Sequence, residues 1–207
     1  MNNKGMTLLE VMMATALLTI VMGTLFSISL SFSDTAEVQE SKIQTNDESR
    51  RALLQIIPEL RQAAKGSITI GALSATGDSI SYRVATDVDG NGTAVDVNGD
   101  LELSDIQTIQ RDEQDLNGDG QASNQLIRIS GDAVTVLANQ ISDGTETFDE
   151  NGVFGPAQDT NGNGRMDRGF FVEFSGSGLM VNVQTQKSTR RGHTLTTTLS
   201  EFVKPRN

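Results

Sequence analysis

The stretch that decides the reading is Lys4-Gly5-Met6-Thr7-Leu8-Leu9-Glu10, KGMTLLE, which opens an apolar run reaching Phe32. From Met6 to Phe32 there are 27 residues and one charged side chain, Glu10. That length exceeds the ~20 residues a helix needs to cross a bilayer. An ionised carboxylate within such a run is unfavourable by roughly 2–3 kcal/mol or more near mid-membrane, so its presence asks for a partner. The apolar run is too long for the core of an ordinary secretion signal, and it continues into polar helix rather than into a small-residue cleavage site.

Beyond Ser33 the pattern stays helical. Apolar residues at 53, 56, 57, 60, 63 and 64 form one stripe of a 3.6-residue helix. Pro58 falls inside this stripe, removes the bond to the Leu54 carbonyl and is expected to bend or interrupt the helix. Gly66 is the expected stop. The period then changes to two. Strands are expected at Ser67–Ile70, Ser79–Ala85, Gln125–Ser130, Ala133–Leu137, Gly169–Ser175, Leu179–Thr185 and His193–Val203, with a hairpin across Gly176–Gly178. Segments rich in Gly, Asn and Asp separate them, as turns require.

The chain of 207 residues has a formal charge of −11. Residues 87–119 hold ten acidic side chains against one base, Arg111, so they supply nine of the eleven net charges. Nucleic acid and anionic lipid headgroups are poor partners for such a surface, so no nucleic-acid partner is expected, and a cation is the expected neutraliser. There is no cysteine, hence no disulfide framework and no thiolate metal site.

Lys4-Gly5-Met6-Thr7-Leu8-Leu9-Glu10 followed by an apolar helix resembles the N-terminus of type IV pilins and type II secretion pseudopilins. The resemblance implies a leader of residues 1–5, cleaved by a prepilin peptidase between Gly5 and Met6, with methylation of the new Met6 amine. It makes Glu10 the fifth residue of the mature chain. A terminal amine is cationic at neutral pH, and on stacking it meets the Glu10 carboxylate of a neighbouring subunit, which makes the buried charge tolerable. The segments ALLQIIPELRQA, NQLIRISGDAVTVLANQIS and LTTTLSEFVKPRN resemble minor pilins of the J and W types. The proline that many major pilins carry near Ser27 and their paired-cysteine loop are both missing.

The resemblance implies the α+β pilin fold: a long N-terminal helix, transmembrane in its first half, packed on a small antiparallel β-rich head with Asp/Asn/Gly loops. The expected divisions are 6–32 for the transmembrane and assembly helix, 33–66 for its amphipathic continuation and 67–207 for the head. The partners implied are other pilin or pseudopilin subunits, the peptidase and, before assembly, the bacterial inner membrane. The head would be periplasmic and later part of a pilus or pseudopilus filament. The function implied is a minor pilin or pseudopilin that helps initiate or cap a type IV pilus or type II secretion pseudopilus. Two other readings stand beside it: a pilus-displayed calcium-dependent adhesion module, and an unrelated receptor with an uncleaved signal anchor.

Three stretches share an oxygen-ligand spacing: DVDGNGT from Asp87, DLNGDGQ from Asp115 and DTNGNGRMD from Asp159. Each places Asp or Asn at positions 1, 3 and 5 and Gly at 6, as in the start of an EF-hand calcium loop. The candidate Ca²⁺ ligands are therefore Asp87, Asp89 and Asn91, then Asp115, Asn117 and Asp119, then Asp159, Asn161 and Asn163. Position 12 holds Asn98, Leu126 or Phe170 instead of the bidentate Glu, so additional oxygens are expected from Asp96, Asp100, Asp105 or Asp167. The competing reading is plain hairpin turns, which Asn-Gly pairs also favour; the chain has six such pairs. No nucleophile elbow, phosphate-binding loop or cysteine nucleophile is present, and the lone histidine, His193, is expected at the surface. The chain is read as a structural protein rather than an enzyme.

Overall fold

The computed structural model describes residues 7–71, 79–121, 124–142, 147–148, 154–155 and 169–206. The chain divides into two compact units, Met1–Glu40 and Ser41–Asn207. One helix, α1, runs Leu8–Gln62 and contributes to both.

In the first unit, α1 exposes every apolar side chain described from Leu8 to Phe32; Leu8 is 80% and Phe32 73% exposed. It is the one element among the described residues that is long and apolar enough to cross a membrane. Its threonines turn their hydroxyls onto its own backbone: Thr15 donates to the Val11 carbonyl at 3.0 Å, Thr19 to Thr15 at 2.8 Å and Thr24 to Val21 at 2.8 Å. In hydrocarbon, polar groups must find partners inside the segment, and these do.

In the second unit, the buried face of α1 comprises Ser41, Thr45, Ser49, Ala52, Leu53, Ile56, Ile57 and Leu60. The apolar part is the stripe read from the sequence. Its extension to Ser41 keeps the same spacing but uses small hydroxyl side chains. Ser49 Oγ and Thr185 Oγ1 share a hydrogen bond of 2.8 Å, Thr185 Oγ1 reaches the Thr45 carbonyl at 2.6 Å, and Thr45 Oγ1 lies 2.9 Å from Thr197 Oγ1. Small side chains let helix and strands approach closely, and the Thr45 and Ser49 hydroxyls each keep a partner.

Pro58 does not end α1. Leu54 and Pro58 both lie on the exposed side, so the carbonyl that loses its donor is on the water side and the helix continues. The helix ends at Gln62, short of Gly66, and a 3₁₀ turn, Lys65–Ser67, leads into the strands.

Strands β1 (Thr69–Gly71), β2 (Ser79–Tyr82), β3 (Gln107–Arg111), β4 (Leu126–Ser130) and β5 (Ala133–Ala138) form an antiparallel meander in that order. Strands β6 (Thr147–Phe148) and β7 (Phe154–Gly155) pair with each other. Strands β8 (Phe170–Ser175), β9 (Gly178–Ser188) and β10 (Thr194–Val203) make a second antiparallel sheet with β9 in the middle. The β8–β9 hairpin is the one expected: Ser175 pairs with Gly178, and Gly176 supplies the positive φ of 58° at the first turn position. At Gly178 a side chain would collide with the Phe202 ring and the Val203 carbonyl, so this strand end admits only glycine.

One core joins α1 to both sheets through Ile56, Leu60, Ile80, Tyr82, Ile109, Leu126, Leu137, Phe170, Val172 and Val181, among others. Polar contacts pin the same helix at three heights. Lys187 binds Gln44, the Asn139 N–H donates to Glu48 Oε2 at 3.0 Å, and Glu59 receives Tyr82 Oη and an ion pair from Arg128. Burial together with the Glu59 carboxylate pushes the Tyr82 phenol far above its ordinary value, so it stays a donor throughout the physiological range. The α+β architecture expected from the sequence is thus the one observed: a long N-terminal helix followed by antiparallel sheets.

Candidate functional site

Two places carry the residues singled out by the sequence. At the start of α1, Glu10 is held by Thr7. The Thr7 N–H donates to Glu10 Oε2 at 2.9 Å, Thr7 Oγ1 donates to the same oxygen at 3.1 Å, and the Glu10 N–H returns a bond to Thr7 Oγ1 at 3.3 Å. This reciprocal arrangement is a capping box: it satisfies backbone donors that the first helical turn would otherwise leave free. A Thr three residues before a Glu at the head of an apolar run is its signature, and that pattern was readable in TLLE. Within a single chain the Glu10 carboxylate is therefore already partnered. A cation from a second chain has to share it or displace Thr7. Gly5 and Met6 lie outside the described residues.

The second place is the acidic stretch. The backbone from Ala85 to Leu103 leaves and returns on itself: Ala85 bridges Leu103 and Val95 bridges Leu101. The Glu102 N–H donates to the Ala94 carbonyl at 3.0 Å and the Thr86 N–H to the Glu102 carbonyl at 3.1 Å. This return brings Glu102 back to the first acidic loop, where carboxylate oxygens of Asp87, Asp89 and Glu102 all lie within 4.8 Å of one another. Glu102 also accepts the Val88 N–H at 2.5 Å and the Asp89 N–H at 3.3 Å. The sequence reading did not select Glu102, because it stands outside the ligand spacing; its signal was a lone Glu in the return strand of an Asp-rich loop.

Asp87 is the anchor of this loop. The Gly92 N–H at 2.7 Å, followed by those of Gly90 at 2.7 Å and Asn91 at 3.1 Å, holds its carboxyl below the ordinary Asp range. Asn91 behaves as a turn residue: its Oδ1 receives Thr93 N–H and Oγ1, while its Nδ2 donates to Asp89 and the Val95 carbonyl. Asp96 closes a separate turn. It accepts the N–H groups of Asp100 and Asn98, each at 2.8 Å, and the Asp100 bond chiefly keeps its carboxyl low. Among the described residues, Asp96 and Asp100 do not join the three converging carboxylates.

The second loop is organised differently. Both Asp115 oxygens accept the Gly120 N–H at 3.0 Å, and Asp115 itself has a positive φ of 53°. Gln125, 2% exposed, ties the remaining two positions together. Its Oε1 receives Asn117 Nδ2 at 2.7 Å and its Nε2 donates to Asp119 Oδ2 at 2.7 Å. The Gln125 bond is the main reason the Asp119 carboxyl lies below its ordinary range. Asp112, fully buried, takes the Leu116 N–H on both oxygens at 3.0 and 3.1 Å. The carboxylates of both loops are thus hydrogen-bonded from within the protein; among the described residues the first loop alone brings three acidic side chains together. Asp159, Asn161, Asn163 and Asp167 lie outside the described residues.

Three carboxylates, hard and close together, are a donor set that fits Ca²⁺, which takes six to eight oxygens at about 2.3–2.6 Å. Asp87, Asp89 and Glu102 would supply part of that shell, and carbonyls or water the rest. His193 is exposed; its backbone N–H donates to Thr189 Oγ1 at 3.2 Å in the β9–β10 turn.

Residues 1–26 match the family model of the prokaryotic N-terminal methylation motif. No curated protein and no solved structure matches the chain. The matched segment includes Gly5, Met6, Thr7 and Glu10, so the chain carries a prepilin-type N-terminus. A motif of this kind implies processing by a prepilin peptidase and assembly with other pilins.

Proposed function

We propose that the chain is a minor pilin or pseudopilin, a structural subunit that helps initiate or cap a type IV pilus or a type II secretion pseudopilus. The observation that carries this reading is the methylation motif continuous with an apolar helix holding a single carboxylate at Glu10. After cleavage between Gly5 and Met6, a methylated Met6 amine would meet Glu10 of a neighbour. The capping box shapes that encounter: Thr7 keeps Glu10 satisfied in the membrane before assembly, and the incoming cation offers a stronger, charge-assisted bond. Absence of cysteine and of a proline near Ser27 favours a minor subunit over the main shaft.

The head, in this reading, binds Ca²⁺ at Asp87, Asp89 and Glu102. Convergence of three carboxylates supports the metal there, and the Asp115–Asp119 loop, where no three acidic side chains converge among the described residues, is assigned to a turn. Extracellular calcium modules work at about 10⁻⁴–10⁻³ M, so a shell of few protein ligands is usable outside the cell.

Deletion of the gene tests the role. Loss of filaments or of secretion, restored by the wild-type gene, is the expected result. Intact filaments with lost surface adhesion would transfer the assignment to a displayed calcium-dependent binding module. Unchanged filaments, secretion and adhesion would overturn both.

A further inference from the structure

Three Asn-Gly pairs fall among the described residues: Asn91-Gly92, Asn98-Gly99 and Asn117-Gly118. Such a pair carries intrinsic chemistry. The backbone nitrogen of the glycine attacks the asparagine Cγ, a C–N bond forms in a five-membered succinimide, and the Cγ–Nδ2 bond breaks with release of ammonia. Water then opens the ring to aspartate or isoaspartate. Glycine permits this because no side chain obstructs the approach, and space is open around all three glycines. What differs is how firmly the fold holds the two reacting groups.

At Asn91 both are held. The Gly92 N–H is bound to a carboxylate, Asp87 Oδ2, at 2.7 Å. The side-chain amide is fixed at both ends, with Oδ1 accepting from Thr93 at 2.8 and 2.6 Å and Nδ2 donating to Asp89 Oδ2 at 2.9 Å. At Asn117 the Gly118 N–H donates to the Asp115 carbonyl at 3.0 Å, and the side chain is clamped to buried Gln125 at 2.7 Å and to the Asp119 N–H at 3.2 Å. Asn98 is exposed. Its Gly99 N–H meets a neutral acceptor, the Asp96 carbonyl, at 3.1 Å, and its side chain is tied through Nδ2 to Asp96 Oδ2 at 3.1 Å. The Asn98 amide thus shares one carboxylate bond, of the kind Asn91 makes with Asp89, whereas at Asn91 and Asn117 the amide oxygen is held as well as the nitrogen. A side chain held at one end opens more readily than one held at both.

We propose that Asn98 is a site of spontaneous deamidation in the folded protein, while Asn91 and Asn117 are protected by their loops. The product places a new carboxylate between Asp96 and Asp100, in the most acidic part of the chain, so the head gains negative charge as it ages. No enzyme or cofactor is required; water is the only co-reactant.

The test is incubation of the full-length protein in detergent at mildly alkaline pH and physiological temperature, with peptide mapping by mass spectrometry over time. The peptide containing Asn98 should gain one mass unit several-fold faster than those containing Asn91 and Asn117. In denaturant the three rates should converge, because the fold sets the order. Equal rates in the folded protein, or faster reaction at Asn91 or Asn117, would overturn the proposal. The same ranking in denaturant would overturn it as well, by assigning the order to local sequence. Gly99→Ala should slow the Asn98 reaction in both states; a variant that reacts as fast as wild type in denaturant would exclude the succinimide route.

Discussion

Two parts of the same helix, Leu8–Phe32 and Ser41–Gln62, show how differently one secondary structure is specified. The second has a buried face and an exposed face, with Ile56 and Leu60 at 0% exposure. Its stability comes from the sheets it covers. The first is apolar all round and has no buried residue within the protein. An isotropically apolar helix needs an apolar surround, which lipid or neighbouring subunits supply. One half is therefore explained by the chain's own fold and the other by what surrounds it.

Truncation in each half should break along this line. Leu60→Ala removes a fully buried side chain at a cost of about 2–5 kcal/mol, which lowers the head melting temperature by about 10 °C. Leu17→Ala, in the exposed half, should leave the melt of the detergent-solubilised chain within the ±0.5 kcal/mol of an ordinary surface change. A comparable loss from Leu17→Ala would mean that the first half is part of the head's core.

The next effect concerns the head alone. At a hundredfold excess over Kd, a ligand of the folded state stabilises it by about 2.7 kcal/mol, or about 5–10 °C for a unit of this size. For a Kd of about 10⁻⁴ M, calcium at about 10 mM gives that excess and should raise the melt relative to chelator by about that much. Asp87→Ala with Asp89→Ala, or Glu102→Gln, should abolish the rise. Asp115→Ala with Asp119→Ala should leave the calcium response in place while lowering the melt in both conditions. If the response vanishes in the Asp115 and Asp119 variant and persists without Asp87 and Asp89, the two loops have been assigned the wrong way round.

At the start of the first half the expected change is local. Thr7→Ala removes a capping hydroxyl worth about 1 kcal/mol of helix-end stability and should not move the head melt. Glu10→Ala should leave membrane insertion intact, since a charge in an apolar run is removed, yet reduce entry into filaments at equal expression. Entry equal to wild type would sink the amine–carboxylate pairing for this subunit.

The smallest effect is acid sensitivity. Asp87, Asp96 and Asp119 have depressed pKa values in the folded loops, relative to an ordinary value of 3.8. Their contribution is present above the ordinary value and is lost as pH falls through the depressed ones. Protection of the Gly92, Asp100 and Gln121 amides, taken as exchange relative to the intrinsic rate at each pH, should therefore fall only below about pH 4, with the head core unaffected. Loss of protection between pH 5 and 7 would require a different titrating group.

Legibility followed the physics of each part. The apolar stripe of α1 was plain because one buried face imposes a period, and β8 and β9 were plain because apolar residues such as Val172, Leu179, Val181 and Val183 recur at every second position. The buried Ser41, Thr45 and Ser49 were not, since small hydroxyl side chains carry no hydrophobic signal, and those of Thr45 and Ser49 bond to the sheet instead. Strand β3 was missed because only Ile109 among its residues is apolar, and the surrounding charges suggested a loop. Glu10 stood out by its isolation, yet its capping partner Thr7 was passed over although the TLLE pattern contains it. In the acidic stretch the spacing located Asp87 and Asp89, while Glu102 and Gln125 became visible only once the return of the chain set them beside the loops.

The account rests on the N-terminus, and intact mass of the exported protein tests it most directly. It should lack Met1–Gly5 and carry one additional methyl group on Met6. A mature chain that begins at or after Ser33, with the apolar half of the helix removed, would contradict it.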